Sequence, residues 1–375
     1  MTHYLVTGAS GVVGSAIVPP LLAYPEVTLQ VLMRPKKGQD LAARLDELKA
    51  FWLAHYPQLK AADLNARVHA VSGEITEPAL GLSSHDQQDL TQHCTHIIHC
   101  AASVKMNLPL EEARQTALFP VSSVIALAQR CTQLHKVEFV STVGVGGRRS
   151  GPLPERWLDE PREFHNTYEA SKAEAETLVR KAIDQGLPAT VHRPSMVVGD
   201  ATTGAVIHFQ IFYFICEFLS GMRTFGIYPQ LGAATLDIVP NDYVGQAIAV
   251  ASRTPDTVGQ IFHLCSGPAA AVRLIELRGL VRQLFRQAGR MGWLPQLDFS
   301  RANFLRIMNG VGRLLPERER RAISTLPVYL DYLSGIQQFG NDLTTQRLAA
   351  LGVAAPDNQA VLAQVLRYYL SAKRA

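Results

Sequence analysis

Tyr4-Leu-Val-Thr-Gly-Ala-Ser-Gly-Val-Val-Gly14 is the stretch that decides how this chain folds. Its apolar, β-branched start reads as a buried parallel strand. The strand breaks into Gly8, Gly11 and Gly14, and a helix-like run follows from near Ser15. A backbone that turns sharply and then lets a pyrophosphate approach cannot carry Cβ atoms at the contact points. The helix beyond offers unpaired N–H groups and the positive end of its dipole to phosphates. Glycines at this spacing are a weak signal alone. Placed after a strand and opening a helix, they predict a dinucleotide site.

Working outward, Val27 to Met33 reads as a second strand ending at Arg34, and Leu41 to Tyr56 as an amphipathic helix. Val68-His-Ala-Val-Ser72 runs into Gly73-Glu74-Ile75, and His96-Ile-Ile-His-Cys100 runs into Ala101-Ala102-Ser103. Val137 to Ser141 and Ala189 to Arg193 are further short strands, each preceded by a helical segment. Strands alternating with helices predict a doubly wound parallel sheet of the Rossmann type, with ligands at the strand C-termini. From about residue 200 the alternation weakens, interrupted by Leu236–Pro240 and Gln260–Leu264. The expected division is therefore a dinucleotide domain over residues 1–200, with a returning segment near 233–265. The rest, within 201–375, is a smaller, mainly helical, substrate-binding portion.

Bulk composition agrees. The chain has 375 residues, 47% hydrophobic and 18% charged, enough for a sizeable core and too apolar for a disordered chain. A net charge of +4 argues for no nucleic-acid partner but suits an anionic cofactor. Five scattered cysteines form no CxxC and read as reduced thiols of a cytoplasmic protein. The first strand leaves no room for a leader peptide. Ala205 to Met222, the most apolar segment, is interrupted by His208, Gln210 and Glu217, so a buried or pocket-lining helix is expected rather than a membrane span. The twelve histidines show no metal-ligand spacing, and no metal is expected.

Tyr168-Glu-Ala-Ser-Lys172 opens another helical run, and spacing of four puts Tyr168 and Lys172 on one face. A cation about 4 Å from the phenol, at an effective dielectric near 20, is worth about 4 kcal/mol. That would lower the phenol by up to about three pH units, close to neutrality. Such a tyrosine is a general acid toward a carbonyl oxygen receiving a hydride, and the lysine can also hold a nicotinamide ribose. A strand-end hydroxyl, Ser141 or Thr142, just before Gly144-Val-Gly-Gly147, would steady the developing oxyanion. An acid about 20 residues after a glycine loop reads NAD, and a base there suits the 2′-phosphate of NADP. Arg34, followed by Lys36 and Lys37 and joined by Arg44, predicts NADPH.

With these motifs the chain resembles the extended short-chain dehydrogenase/reductases, in the thioester reductase and fatty acyl-CoA reductase branch. The resemblance runs through Thr7–Gly14, Gly73–Pro78 with Leu80–Leu82, His99–Val104, Val140–Val143, Tyr168–Glu176 and His192–Gly199, covering about residues 1–250. It implies Thr142, rather than Ser141, as the active hydroxyl beside Tyr168 and Lys172. It implies cofactor contacts at Gly8, Ser10, Gly11, Val12, Val13, Gly14, Glu74, Ile75, Ala101, Ala102, Ser103, Lys172, Pro194 and Val197. The implied activity is NADPH-dependent reduction of an acyl thioester, carried on CoA or on an acyl or peptidyl carrier protein, to an aldehyde and on to an alcohol. A sugar-nucleotide epimerase or dehydratase and a hydroxysteroid-type dehydrogenase share the scaffold; a non-catalytic NADP sensor would not need the Thr-Tyr-Lys set. Two departures stand out: the family's relay asparagine is replaced at Ala117, and its usual aspartate after Gly73 is Glu74.

Two further features are open in the sequence. Phe209, Phe212, Tyr213, Phe214 and Phe218 form either plain core or an acyl channel. Arg278, Arg282, Arg286 and Arg290 recur every four residues as a stripe, read as a solvated face or as a landing strip for CoA phosphates or an acidic carrier.

Overall fold

The computed structural model describes residues 1–35, 38–106, 108–149, 151–312, 317 and 335–373. Seven strands form the main sheet: β1 (Thr2–Thr7), β2 (Val27–Met33), β3 (Val68–Ser72), β4 (His96–His99), β5 (Lys136–Val140), β6 (Ala189–Pro194) and β11 (Ile261–Leu264). Their spatial order is β11-β6-β5-β4-β1-β2-β3 and every pairing is parallel. The order reverses between β1 and β4, which opens a crevice at their C-terminal ends where α/β sheets bind ligands.

Alternation along each strand feeds two cores. Tyr4 and Val6 pack with α1 (Val12–Leu22), α2 (Leu41–His55) and α8 (Asn241–Ser252) on one face. Leu5 packs with α4 (Ser84–His93), α5 (Leu110–Arg130) and α6 (Thr167–Asp184) on the other. Since both faces are covered, polar residues inside the sheet must find partners there. Glu138 on β5 meets His192 Nε2 at 2.5 Å and Lys136 Nζ at 3.2 Å, all three buried. The Lys136 ammonium also donates to the Thr254 carbonyl at 2.8 Å, at the end of α8.

Helix α1 begins at Val12, earlier than the sequence suggested, so the N–H groups of Val12 and Val13 lie in its first turn. Beyond β6 the chain forms β7 (Met196–Val198), α7 (Ile211–Ser220), β8 (Ile227–Pro229), β9 (Thr235–Leu236) and β10 (Ile238–Pro240). After α8, β11 joins the main sheet beside β6, and β10 pairs with β7, so residues 238–264 return to the nucleotide-side scaffold. β12 (Val272–Arg273), α9 (Leu274–Gln287), β13 (Leu297–Phe299), α10 (Arg301–Gly312), α11 (Asp342–Ala350) and α12 (Asn358–Ala372) follow.

A third core joins α7, α9 and α12. Phe212, Tyr213 and Phe218 lie buried inside it, so this part of the aromatic run is core, while Phe214 stands half exposed. The arginine stripe is corrected more sharply. Arg278 and Arg282 are 6% and 2% exposed. Arg278 forks onto Asp298 at 2.6 and 3.2 Å. Arg282 donates to the Ser220 carbonyl, the Tyr228 hydroxyl and the Leu294 carbonyl at 3.1, 2.6 and 2.6 Å. At 3.6 residues per turn a four-residue repeat drifts about 40° per step. The first two arginines thereby fall on the flank of the buried stripe and only Arg286 is fully exposed. No helix among the described residues is long and apolar enough to cross a membrane.

Candidate active site

The site is assembled at the β1/β4 crevice. Gly8 has φ +78°, and a Cβ there would lie 2.7 Å from the Ala101 nitrogen. A Cβ on Gly14 would lie 2.1 Å from the Gly8 carbonyl oxygen. These two glycines are therefore demanded by the protein itself, one for a left-handed turn against the loop after β4, the other for seating α1 on the turn. Gly11 differs: its Cβ would meet only the Gly8 oxygen, at 3.2 Å. It is also the N-cap of α1, with no side-chain cap and no acid in the first turn. An uncapped eleven-residue helix offering free N–H groups over a Cβ-less residue fits a pyrophosphate. Ser10, Val12 and Val13 sit in this turn, Val12 buried against the Met196–Val198 segment that carries Val197.

On the far side of β1, Arg34 pairs with Glu74 at 2.7 Å, and Arg44 donates to the Arg34 carbonyl. Burial alone would raise the Glu74 carboxyl; the Arg34 guanidinium and the Thr76 N–H outweigh it and hold the group below its usual range. The Glu74 loop is tightly folded. A Cβ on Gly73 would lie 2.6 Å from the Leu80 oxygen, and one on Gly81 (φ +63°) would lie 2.8 Å from the Glu74 nitrogen. Ile75 packs on the core beside it. Lys36 and Lys37 lie outside the described residues. Ala101 binds the Thr7 hydroxyl through its N–H at 3.3 Å, and Ala102 and Ser103 continue that loop. Pro194 closes β6, next to Ser195, whose N–H reaches the Leu264 carbonyl at 3.0 Å.

Thr142 follows β5 as the cap of a short 3₁₀ turn, Val143–Gly146, its hydroxyl accepting from Gly144 N–H at 3.1 Å. Of the two candidate hydroxyls, Ser141 is buried, at 4% exposed, and Thr142 is the more accessible. The Thr142 side chain acts on the Tyr168 phenol as well, favouring its ionised form. Tyr168 stands in the first turn of α6, and Lys172 one turn on. Asn166 caps that helix, accepting from Glu169 N–H at 2.9 Å. The Glu169 carboxylate reaches back to the His165 N–H and ring at 2.9 Å. Thr167 donates to the Leu108 carbonyl at 2.8 Å, so three side chains around Tyr168 fix where it stands. The Asn-x-x-Glu pattern of a capping box was in the sequence and names two of them.

The electrostatics overturn one expectation. Burial pushes the Tyr168 phenol up to about 12, against the pull of Thr142, instead of down toward neutrality. The Lys172 ammonium is turned away, donating to the Val140 carbonyl at 2.8 Å and lying 4.8 Å over the Phe139 ring. Burial brings Lys172 itself down to about 8, against the pull of Glu176 and Cys100. A second feature escaped sequence reading. Buried Arg193 on β6 forks onto Glu176, one turn beyond Lys172, at 2.9 and 2.6 Å. Its Nη1 donates to the Arg156 carbonyl at 3.0 Å and to His263 Nε2 at 3.2 Å. Burial, with Arg193 adjacent, brings His263 down to about 3. The neutral ring then donates from Nδ1 to the Gly340 carbonyl at 2.7 Å.

A crevice of this kind, with a glycine cradle after the first strand of a parallel sheet, defines a Rossmann-type dinucleotide-binding fold. The NAD-binding family described as male sterility protein matches residues 6–248. The chain belongs to that family, and with it to the thioester reductase and fatty acyl-CoA reductase branch of the extended short-chain dehydrogenase/reductases. Among solved structures, the terminal R domain from the myxalamid PKS-NRPS biosynthetic pathway superposes with a TM-score of 0.81 at 27% identity, covering 100% of this chain and 91% of that one. Fatty acyl-CoA reductase 1 of Gallus gallus is 30% identical over 222 residues, 52% of this chain and 43% of its own. The nonribosomal peptide synthetase FrzA of Cladobotryum sp is 27% identical over 279 residues, 72% of this chain. The chain spans 26% of that synthetase, and so less than half of either protein.

Proposed function

We propose that the protein is an NADPH-dependent reductase of acyl thioesters, acting on an acyl chain carried by CoA or by a carrier protein in the cytoplasm. The observation that supports this reading best is the placement of Thr142 as the cap directly after the central strand β5, with Tyr168 in the first turn of α6 and Lys172 one turn on. Gly8, Ser10, Gly11, Val12, Val13 and Gly14 would hold the pyrophosphate, and Arg34 with Arg44 the adenosine 2′-phosphate. Glu74, Ile75, Ala101, Ala102 and Ser103 would flank the adenosine, and Pro194, Val197 and Lys172 the nicotinamide end. Bound there, the nicotinamide supplies a hydride to the thioester carbonyl.

The protein's own residues do the rest. Thr142 donates to the carbonyl oxygen and polarises it. Tyr168, with its phenol near 12, stays protonated at neutral pH and gives its proton to that oxygen as charge develops. Lys172, protonated below about pH 8, would hold the cofactor ribose. The resulting hemithioacetal collapses to thiol and aldehyde, and the same cluster can serve a second reduction to the alcohol. Residues 1–200 with the 233–265 return form the cofactor half, and the remainder receives the acyl group. Names among the relatives favour this over the epimerase reading: one curated neighbour is the aldehyde reductase lnaA of Aspergillus flavus, 29% identical over 271 residues.

Following nicotinamide absorbance with an acyl-CoA, an aldehyde and a UDP-sugar tests the proposal. Oxidation of NADPH with acyl-CoA, and none with the UDP-sugar, is expected. Turnover of the UDP-sugar alone, or of nothing, overturns it.

A further inference from the structure

The crossover from β5 to α6 carries a second feature at the same end of the sheet. Arg148, Arg149, Glu160, Pro161, Arg162 and Glu163 line an open cavity of about 610 Å³. Its two walls are bound together, Arg148 N–H donating to the Glu163 carbonyl at 2.7 Å. Gly147, with φ +60°, lets them close, since a Cβ there would lie 2.2 Å from the Glu163 oxygen. Arg162 is the framework. Its Nε donates to the Val145 carbonyl at 2.6 Å and its Nη1 to the Glu160 carbonyl at 3.2 Å.

The cavity lining carries three guanidinium groups against the carboxylates of Glu160 and Glu163, an excess of one positive charge. Arg156, outside the cavity, takes up Glu160 at 2.8 Å, leaving Arg149 at 3.7 Å from the same carboxylate. Arg148 is exposed and pairs with no carboxylate among the described residues. The Arg148 guanidinium thus faces solvent and Arg149 keeps only a loose contact with Glu160, an arrangement in which both can turn to a phosphate and grip it in bidentate fashion. The walls run straight into the catalytic cluster. Arg148 is six residues past Thr142, and Glu163 five before Tyr168. Six extended residues reach at most about 20 Å, and a pantetheine arm of similar bonds spans roughly 15–20 Å.

We propose that this cavity receives the 4′-phosphate of a phosphopantetheine arm, with Arg148 and Arg149 holding it so that the thioester reaches Thr142 and Tyr168. The inference rests on the thioester reading of the site. The same phosphate heads the arm in CoA and in a loaded carrier protein, so one cradle serves both.

The test is the Arg148→Ser/Arg149→Ser double variant, assayed with one acyl group on CoA, dephospho-CoA, 4′-phosphopantetheine and pantetheine. Loss of two charge-assisted contacts should raise KM at least about tenfold for the three phosphorylated thioesters. Acyl-pantetheine should keep its KM, and the wild-type preference for acyl-phosphopantetheine over acyl-pantetheine should shrink with salt. Equal loss on all four, no loss on any, or loss confined to acyl-CoA overturns the assignment; the last would mean that the ribose 3′-phosphate is what the arginines hold. Calorimetric titration with 4′-phosphopantetheine alone provides a readout independent of turnover. Wild type should bind it and the variant should not, with unchanged thermal unfolding. Binding without reduction of any thioester would remove the proposed function and leave the phosphate site standing.

Discussion

Replacing Lys172 by Met should make the protein more stable and inactive. Burial brings the ammonium from 10.5 down to about 8. That gap corresponds to about 3 kcal/mol of destabilisation when the group is charged, as it is at pH 7. The substitution also strips the Val140 carbonyl of its donor, at 2.8 Å in the native protein. An unsatisfied carbonyl costs about 1 kcal/mol, so the net gain at pH 7 is about 2 kcal/mol. The pH dependence carries the stronger signature. From about pH 8 to 10.5 the unfolded chain keeps a proton that the folded chain has released, so wild-type stability rises with pH across that window. The advantage of the Met variant should therefore be full below pH 8 and disappear toward pH 10.5. Urea unfolding of both proteins at pH 7 and at pH 10 measures this. A variant less stable than wild type at pH 7, or an advantage that does not shrink with pH, would refute the reasoning. In the wild type, kcat/KM for NADPH should fall on the alkaline side with an apparent pKa of about 8.

Other substitutions separate the roles of neighbouring residues. Tyr168→Phe should leave NADPH affinity nearly unchanged and lower turnover at least about a hundredfold, with fluorescence titration and absorbance as the paired measurements. Gly14→Ala should fail to fold, its Cβ 2.1 Å from a backbone oxygen, whereas Gly11→Ala should fold and lose dinucleotide affinity; circular dichroism with cofactor titration distinguishes them. Arg34→Ala should weaken NADPH and spare NADH, and equal use of both cofactors by wild type would contradict the NADPH assignment. Arg282→Glu should cost about 3–5 kcal/mol of stability, because it removes three buried hydrogen bonds and buries an unpaired anion; a native-like denaturation midpoint would refute its structural role.

What was legible in the sequence and what was not divides along physical lines. The strands of the dinucleotide half announced themselves because a parallel sheet covered on both faces needs unbroken apolar runs, and the glycine turn because only glycine fits it. Tyr168 and Lys172 were legible because helical periodicity alone puts them one turn apart. Their ionisation was not. The spacing suggested that Lys172 would lower the phenol, but proton affinity follows the surroundings more than the spacing. Burial acts on both groups, and it drives the acid up and the base down. Without a structure, neither the depth of burial nor the turn of the ammonium toward Val140 can be known.

The arginine stripe on α9 failed for a related reason. Periodicity fixes the angle of each side chain around a helix but not how much of the circumference is covered. Here the covering elements, β8 and β13, come from separate stretches of chain, and β8 brings Tyr228 between Arg278 and Arg282. The guanidinium of Arg278 lies 4.7 Å over that ring, and that of Arg282 5.9 Å. Such burial is tolerable only because each fork finds oxygen partners. Arg148 and Arg149 are the converse case: no periodicity singles them out, and only the folding back of residues 160–163 shows two forks left without a full partner. In this chain a cationic residue is a candidate for ligand binding to the extent that the fold leaves its donors unspent. That criterion removes Arg278 and Arg282, whose forks are taken by Asp298 and by the oxygens of Ser220, Tyr228 and Leu294, and retains Arg148 on the β5–α6 crossover.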